Sequence, residues 1–238
     1  MKHEANLDFC PVLATMIATQ RTATRSGEII ERLGAVSTFN NLVILRNLCL
    51  QAKPSSSLEV GLAYGSSALT FARSHQEMSA ARAQHVAIDP FQSGIWGDSG
   101  LCNLERAGLR GYVDFRAGMS CFELPKLLEK AARFDLIYID GDHRYESVFI
   151  DAYFCSRLLG ERGIMAFDDS SDPNISKVLR FIKRNCPGLE EIDLSPYRAD
   201  LGKPLRYRAA RLLSRSQMRA FRRVGEPGQA YPAKLKDF

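Results

Sequence analysis

Acidic side chains follow two apolar segments in the second half of the chain. Asp140-Gly141-Asp142-His143 follows the first segment, and Asp168-Asp169 follows the second. Carboxylates that converge on one place repel one another, so either their pKa values rise or a cation neutralises them. Oxygen donors favour Mg²⁺, Ca²⁺ or Mn²⁺ over softer metals. The pattern indicates a divalent cation site, with capping of the following helices by Asp142 or Asp169 as the alternative.

His143 has the chemistry of a general base. The pKa of a histidine side chain is ordinarily close to neutral pH, so this residue type can accept a proton from a hydroxyl group. A cation at Asp140 would make that proton easier to remove, and a metal-bound carboxylate is a second candidate for accepting it. The alternative is that His143 caps or packs against the next helix.

A glycine-containing segment precedes this acidic region. Residues 59–67 have the sequence E-V-G-L-A-Y-G-S-S, in which Gly61 and Gly65 allow a sharp turn and close approach of a ligand. A helix that begins after Gly65 would offer free N–H groups to a nucleoside ligand. A plain tight turn is the alternative. Ala63 stands where the dinucleotide fingerprint G-x-G-x-x-G requires its second glycine, which argues against a nicotinamide-dependent oxidoreductase.

Asp89 ends the next apolar segment, His85–Ile88, and lies thirty residues after Glu59. A carboxylate at this place can accept hydrogen bonds from both hydroxyls of a ribose. The alternative is an ordinary solvated aspartate at the end of a strand. Together with the glycine segment, Asp89 predicts a nucleoside-binding site.

Short apolar segments alternate with segments of helical length, which predicts βαβ units and a parallel sheet with helices on both faces. The predicted strands are Leu58–Val60, His85–Ile88, Tyr112–Phe115, Leu136–Ile139, Ile164–Phe167, Leu189–Leu194 and Leu205–Leu213, the last of which could instead be a helix. The predicted helices are 66–76, 98–108, 119–132, 144–159 and 176–185. The fold class is therefore α/β, with a Rossmann-like, seven-stranded, mostly parallel sheet.

The ends of the chain differ from this core. Apolar residues at helical intervals, among them Ile29, Ile30 and Leu33, predict an N-terminal helical extension over 1–52. The sheet domain would span 53–213, and 214–238 would form a basic, loosely packed C-terminal extension. From Pro196 onward, eleven basic and three acidic residues give a net charge of +8, whereas the rest of the chain carries −3.

Composition places the chain among cytoplasmic proteins. The six cysteines show no CxxC pair or regular spacing, which is typical of reduced core thiols. No apolar run approaches the roughly 20 residues that a membrane-spanning helix requires. The N-terminus lacks the layout of a signal peptide.

The motif E-V-G-x-x-x-G-x-S followed by Asp89 resembles class I S-adenosylmethionine-dependent methyltransferases. The I-D-G-D-H-x-Y-E motif at 139–146 and R-G-x-x-x-x-D-D at 162–169 resemble its metal-dependent O-methyltransferases of small molecules. More distantly, they are similar to catechol-type O-methyltransferases. The resemblance covers about residues 38–195. It implies an enzyme that uses S-adenosylmethionine, with Mg²⁺ as the implied metal.

The resemblance also implies roles for individual residues. The cation ligands would be Asp140, Asp168 and Asp169. The catalytic residues would be His143, which occupies the place of the catechol-type lysine base, and Asp140. The cofactor-binding residues would be Glu59, Gly61, Tyr64, Gly65, Ser67, Asp89, Ala117, Gly118 and Ser120.

The expected partner is a hydroxylated small molecule. The loop 90–103 contains the only tryptophan, Trp96, and could be a lid or substrate wall or an ordinary connection. The arginines between 206 and 223 favour a solvated face or a homodimer contact over nucleic-acid binding, because no aromatic motif accompanies them. A metal-independent or RNA-directed methyltransferase and a non-catalytic binding protein remain alternatives, and no membrane partner is expected.

Overall fold

The computed structural model describes residues 5–78, 84–199, 216–225, 232 and 234–238. Within these residues the helices are α1 (Pro11–Thr19), α2 (Phe39–Ala52), α3 (Ser66–Glu77), α4 (Ser99–Arg106), α5 (Ser120–Glu129), α6 (Tyr145–Leu158) and α7 (Pro173–Asn185). The strands are β1 (Arg21–Ala23), β2 (Ile29–Glu31), β3 (Ser56–Val60), β4 (Gln84–Ile88), β5 (Val113–Arg116), β6 (Phe134–Ile139), β7 (Leu159–Phe167), β8 (Leu189–Ile192) and β9 (Arg219–Arg223).

Seven of these strands form one sheet in the order β5-β4-β3-β6-β7-β9-β8. Strands β3 to β7 run parallel, and β9 is antiparallel to both of its neighbours. The predicted Rossmann-like, seven-stranded, mostly parallel sheet is thus confirmed. The strand order reverses at β3, which pairs with β4 on one side and with β6 on the other, and open α/β sheets bind ligands at such a point.

Helices cover both faces of the sheet, as predicted. Alternate residues of β6 show this, because Ile137 packs in one apolar cluster with α6 and α7, whereas Leu136 packs in another with α2 and α3. The central strands therefore lack a solvent-facing side, which explains their continuous apolar sequence. Among the described residues, no helix is long and apolar enough to cross a bilayer.

The expectation of an all-helical segment over 1–52 is wrong in its middle part. Strands β1 and β2 pair there as a two-stranded antiparallel hairpin, with Thr22 opposite Ile30. Ile29 and Ile30 are adjacent in the sequence and therefore satisfy a strand as readily as one turn of a helix. Helix α2 follows from 39 to 52, and its Thr38 cap accepts a hydrogen bond from the N–H of Asn41 at 3.3 Å.

The expectation of a loosely packed extension after 214 is also wrong, because β9 is an inner strand of the sheet. Arg219 and Arg223 are buried in it: Arg219 pairs with Glu191 at 2.8 Å, and Arg223 donates to the carbonyl of Leu159 at 2.7 Å. The predicted strand Leu205–Leu213 lies outside the described residues. The domain boundaries at 52 and 213 stay predictions.

Candidate active site

The glycine loop between β3 and α3 is closely packed against the end of β6. Gly61 has a φ of +93°, and a Cβ added there would lie 2.1 Å from the carbonyl oxygen of Asp140. Gly65 has a φ of +81° and approaches the backbone of Gly100. Both positions therefore require glycine, and α3 begins directly after the loop, as the sequence predicts.

Asp89, at the end of β4, is almost fully buried beside this loop. Its Oδ2 accepts hydrogen bonds from the N–H groups of Leu62 at 3.0 Å and Ala63 at 2.8 Å, and its Oδ1 accepts one from the N–H of Phe91 at 2.7 Å. The carboxylate thus fixes the glycine loop against the carboxyl end of β4.

A cavity of about 490 Å³ opens at the carboxyl ends of β3, β4, β6 and β7. Four of the predicted cofactor-binding residues line it, namely Gly61, Ser67, Asp89 and Ser120. All four residues predicted for catalysis or metal binding also line it, namely Asp140, His143, Asp168 and Asp169. The structure therefore places these four cofactor-binding residues and all the predicted catalytic and cation-binding residues around one cavity.

The other predicted cofactor residues do not line this cavity; they are Glu59, Tyr64, Gly65, Ala117 and Gly118. Glu59 is fully buried beneath the loop, with its Oε1 3.3 Å from Nε2 of His85. Tyr64 is also buried and packs edge-to-face on Trp96, with ring centroids 5.2 Å apart. Glu59 and Tyr64 are therefore buried parts of the loop region that do not reach the cavity.

Three metal-ligating side chains meet at the rim of the cavity. Ligand atoms of Asp140, His143 and Asp169 all lie within 4.8 Å of one another. Two carboxylates and one imidazole form a donor set suited to a divalent cation. Asp169 does not cap α7, because Asp172 accepts hydrogen bonds from the N–H groups of Asn174 and Ile175 at that helix start.

Asp168 does not belong to this group of three, although the sequence places it among the cation ligands. Its carboxylate is buried and accepts hydrogen bonds from the Tyr138 hydroxyl, from Nδ2 of Asn41 at 2.5 Å and from the N–H of Asp169 at 2.8 Å. Burial raises the pKa of Asp168 to about 6, although these donors oppose the shift. Its oxygens are thus already occupied by protein donors.

Asp140 lies at the centre of the site. Its Oδ2 accepts a hydrogen bond from the Ser37 hydroxyl at 3.0 Å, and the Tyr138 hydroxyl oxygen lies 3.2 Å from the Ser37 oxygen. Burial and the nearby Asp168 carboxylate raise the pKa of Asp140 well above its ordinary value. A cation there would offset both effects.

Sequence reasoning missed Gln217, which precedes β9 and contacts the loop after β7. Its side-chain amide donates to Oδ1 of Asp169, its Oε1 accepts from Ser171 at 3.2 Å, and its carbonyl accepts from the N–H of Ser170 at 2.9 Å. These contacts hold Asp169, whose φ of +43° is unusual for a non-glycine residue.

Comparison with known families decides the class of this site. Residues 58–170 match the family model of a methyltransferase domain. This segment is a methyltransferase domain. It contains the glycine loop, Asp89 and the group of Asp140, His143 and Asp169. The comparison with curated protein sequences gives no match.

Solved structures share the fold of the methyltransferase domain. An O-methyltransferase from Bacillus cereus in complex with SAH is 20% identical, with a TM-score of 0.58 over 67% of this chain and 75% of that chain. The O-methyltransferase TomG from Streptomyces achromogenes, in complex with SAM, is 18% identical, with a TM-score of 0.57 over 67% and 74%. A putative O-methyltransferase from Klebsiella pneumoniae is 19% identical, with a TM-score of 0.60 over 76% and 81%.

The resemblance to class I S-adenosylmethionine-dependent methyltransferases is confirmed by the family match and the fold. The expectation that this chain is a methyltransferase is confirmed with it.

Proposed function

We propose that this methyltransferase transfers the methyl group of S-adenosylmethionine to a hydroxyl group of a small molecule, with the assistance of a divalent cation. The observation that carries the proposal is the meeting of Asp140, His143 and Asp169 in the cavity formed by the glycine loop and Asp89. Two of the structural neighbours are O-methyltransferases bound to SAH or SAM, which supports the same chemistry.

The residues of the cavity fit both S-adenosylmethionine and a divalent cation. Asp89 and the tight glycine loop border a cavity at the strand switch point, where a nucleoside binds in this fold class. Asp140 and Asp169 would hold Mg²⁺ or Mn²⁺, because carboxylates suit these hard cations. When bound, S-adenosylmethionine supplies an electrophilic methyl group, and the cation lowers the pKa of the acceptor hydroxyl.

His143 is the residue that would accept the proton of the hydroxyl, at Nδ1, because Nε2 faces the Asp169 carboxylate. Its side chain is 44% exposed and therefore accessible, and Nε2 lies 3.3 Å from Oδ2 of Asp169. That carboxylate orients the ring and stabilises the imidazolium that forms. Gln217, behind Asp169, keeps the carboxylate in place.

The charge of the cavity supports a small acceptor over RNA. Its described lining includes the five aspartates Asp89, Asp140, Asp142, Asp168 and Asp169 but the single arginine Arg144, whose Nε pairs with Asp142 at 2.6 Å. Such a lining repels phosphate groups. Two of the C-terminal arginines, Arg219 and Arg223, are buried with protein partners and are not available to a nucleic acid.

The test is transfer of a labelled methyl group from S-adenosylmethionine to a panel of phenols, diols, sugars and hydroxy acids, with total RNA as a separate acceptor. We expect transfer to a hydroxylated small molecule that EDTA abolishes and Mg²⁺ or Mn²⁺ restores. Transfer that EDTA leaves unchanged would remove the cation from the proposal. Transfer to RNA alone would contradict the small-molecule acceptor.

A further inference from the structure

The loop between β4 and α4 forms an apolar part of the cavity wall. Phe91, Ile95 and Trp96 line the cavity, and Ile95 is 67% exposed. Trp96 belongs to the same apolar cluster as Ala35 and Val36, which also line the cavity. Ser37 follows them and donates to Asp140, so this wall borders the acidic group.

The turn of the β1–β2 hairpin is fastened to this loop by the backbone and by charge. The N–H of Arg25 donates to the carbonyl of Gly97 at 2.8 Å. Its guanidinium contacts Oδ2 of Asp98 at 3.3 Å and both carboxylate oxygens of Glu105 at 2.8 and 3.2 Å. Arg25 therefore joins the hairpin to the end of the loop and to α4.

The hairpin also packs directly against the loop. Gly97 has a φ of +51°, and a Cβ added there would lie 2.7 Å from Cγ2 of Thr24. Thr24 is buried, and Thr22 bonds to the buried Asn103 of α4. By contrast, a Cβ on Gly94 in the same loop would meet nothing closer than 3.9 Å.

We propose that the β1–β2 hairpin is a clamp for the loop 90–98, and that Arg25 and Thr24 are positioning residues that keep Trp96 and Ile95 in the acceptor wall. The assignment of this wall to the acceptor rests on the proposed function, whereas the clamp itself does not. In this clamp, the guanidinium of Arg25 fixes the end of the loop at Asp98. The contact of Thr24 with Gly97 sets the distance between the loop and the hairpin.

Hydrogen exchange of the ligand-free, full-length chain tests the clamp directly. The amides of Gly94, Trp96, Gly97 and Asp98 each donate to a carbonyl within the loop, so their exchange requires the loop to open. We expect Arg25→Ala to accelerate exchange in 94–98 by about fivefold. The matched control is Arg21→Ala, because Arg21 pairs with Glu31 within the hairpin and does not contact the loop; it should leave exchange unchanged.

A second pair of variants tests the packing contact. Gly97→Ala should push the loop away from Thr24 and shift the emission of Trp96, the only tryptophan of the chain, to longer wavelength, whereas Gly94→Ala should not. Equal exchange in Arg25→Ala and Arg21→Ala, or equal emission in the two glycine variants, would overturn the clamp.

Calorimetry with S-adenosylhomocysteine is run in parallel. Absence of binding to the wild type would contradict the proposed function and leave the clamp result standing.

Discussion

Nε2 of His143 lies 3.3 Å from Oδ2 of Asp169, at the rim where β6 and β7 end. The imidazole of His143 also counts among the three possible metal ligands. A neutral imidazole has only one unprotonated nitrogen, so a ring that ligates a cation cannot also accept a proton, and the two roles of His143 exclude each other. The proposal assigns the proton to His143 and the cation to the carboxylates.

His143→Asn separates these roles. We expect methyl transfer to fall by about 10²- to 10⁴-fold, because a general base is lost, while calorimetric Mn²⁺ binding stays unchanged. Binding of Mn²⁺ that disappears together with activity would instead make His143 a ligand. Asn174→Ala is the control, since it removes only a 3.2 Å hydrogen bond to the backbone carbonyl of His143.

Gln217→Ala should weaken Mn²⁺ binding by about tenfold, because residues that orient a metal ligand contribute this much to affinity. Gln217→Glu should weaken it further, since it places a second negative charge against Asp169. Ser171→Ala removes only the other hydrogen bond of the Gln217 side chain and serves as the control. Equal Mn²⁺ affinity in all three variants and the wild type would show that Gln217 does not position Asp169.

Asp89→Asn should raise the dissociation constant of S-adenosylhomocysteine by about tenfold or more. The amide has one acceptor oxygen in place of two, so it cannot accept all the hydrogen bonds by which Asp89 fixes the glycine loop beside the cavity. Asp114→Asn, an exposed change on the neighbouring strand β5, is the control. Unchanged affinity in Asp89→Asn, measured by calorimetry, would contradict a ribose-binding role.

Asp151 makes stability depend on pH. Burial raises its pKa from 3.8 to about 6, so folding at higher pH must bury a charge. The contribution of Asp151 to the free energy of unfolding is fully present below pH 3.8. Up to about 3 kcal/mol of that free energy is lost as the pH rises through 6. Asp151→Asn should therefore raise the free energy of unfolding more at pH 8 than at pH 4. Urea denaturation at both values, with exposed Glu161→Gln as control, measures the difference; equal effects at both pH values would contradict the buried charge.

The sequence predicts the central sheet well because its strands are short, continuous apolar runs between segments of helical length. It misplaces the hairpin, since Ile29 and Ile30 fit a helix and a strand alike. It misses β9 because a strand of three arginines, one alanine and one phenylalanine resembles an exposed basic tail. Only the fold reveals that Arg219 pairs with Glu191 and that Arg223 donates to the carbonyl of Leu159.

The same limit applies to the site. Strand-end residues such as Asp89 and Asp140 are predictable, because parallel strands present their carboxyl ends at one edge of the sheet. Ser37, Asn41 and Gln217 arrive from segments far away in the chain, and no local pattern marks them. For that reason the sequence cannot show that Asn41 and Tyr138 occupy the oxygens of Asp168.

The most direct test of the account is a calorimetric titration of the wild-type chain with S-adenosylhomocysteine, followed by one with NAD. The account predicts saturable binding of one S-adenosylhomocysteine per chain, which S-adenosylmethionine displaces, and no heat with NAD. Folded protein that gives no heat with S-adenosylhomocysteine, or that binds NAD in its place, would contradict the account.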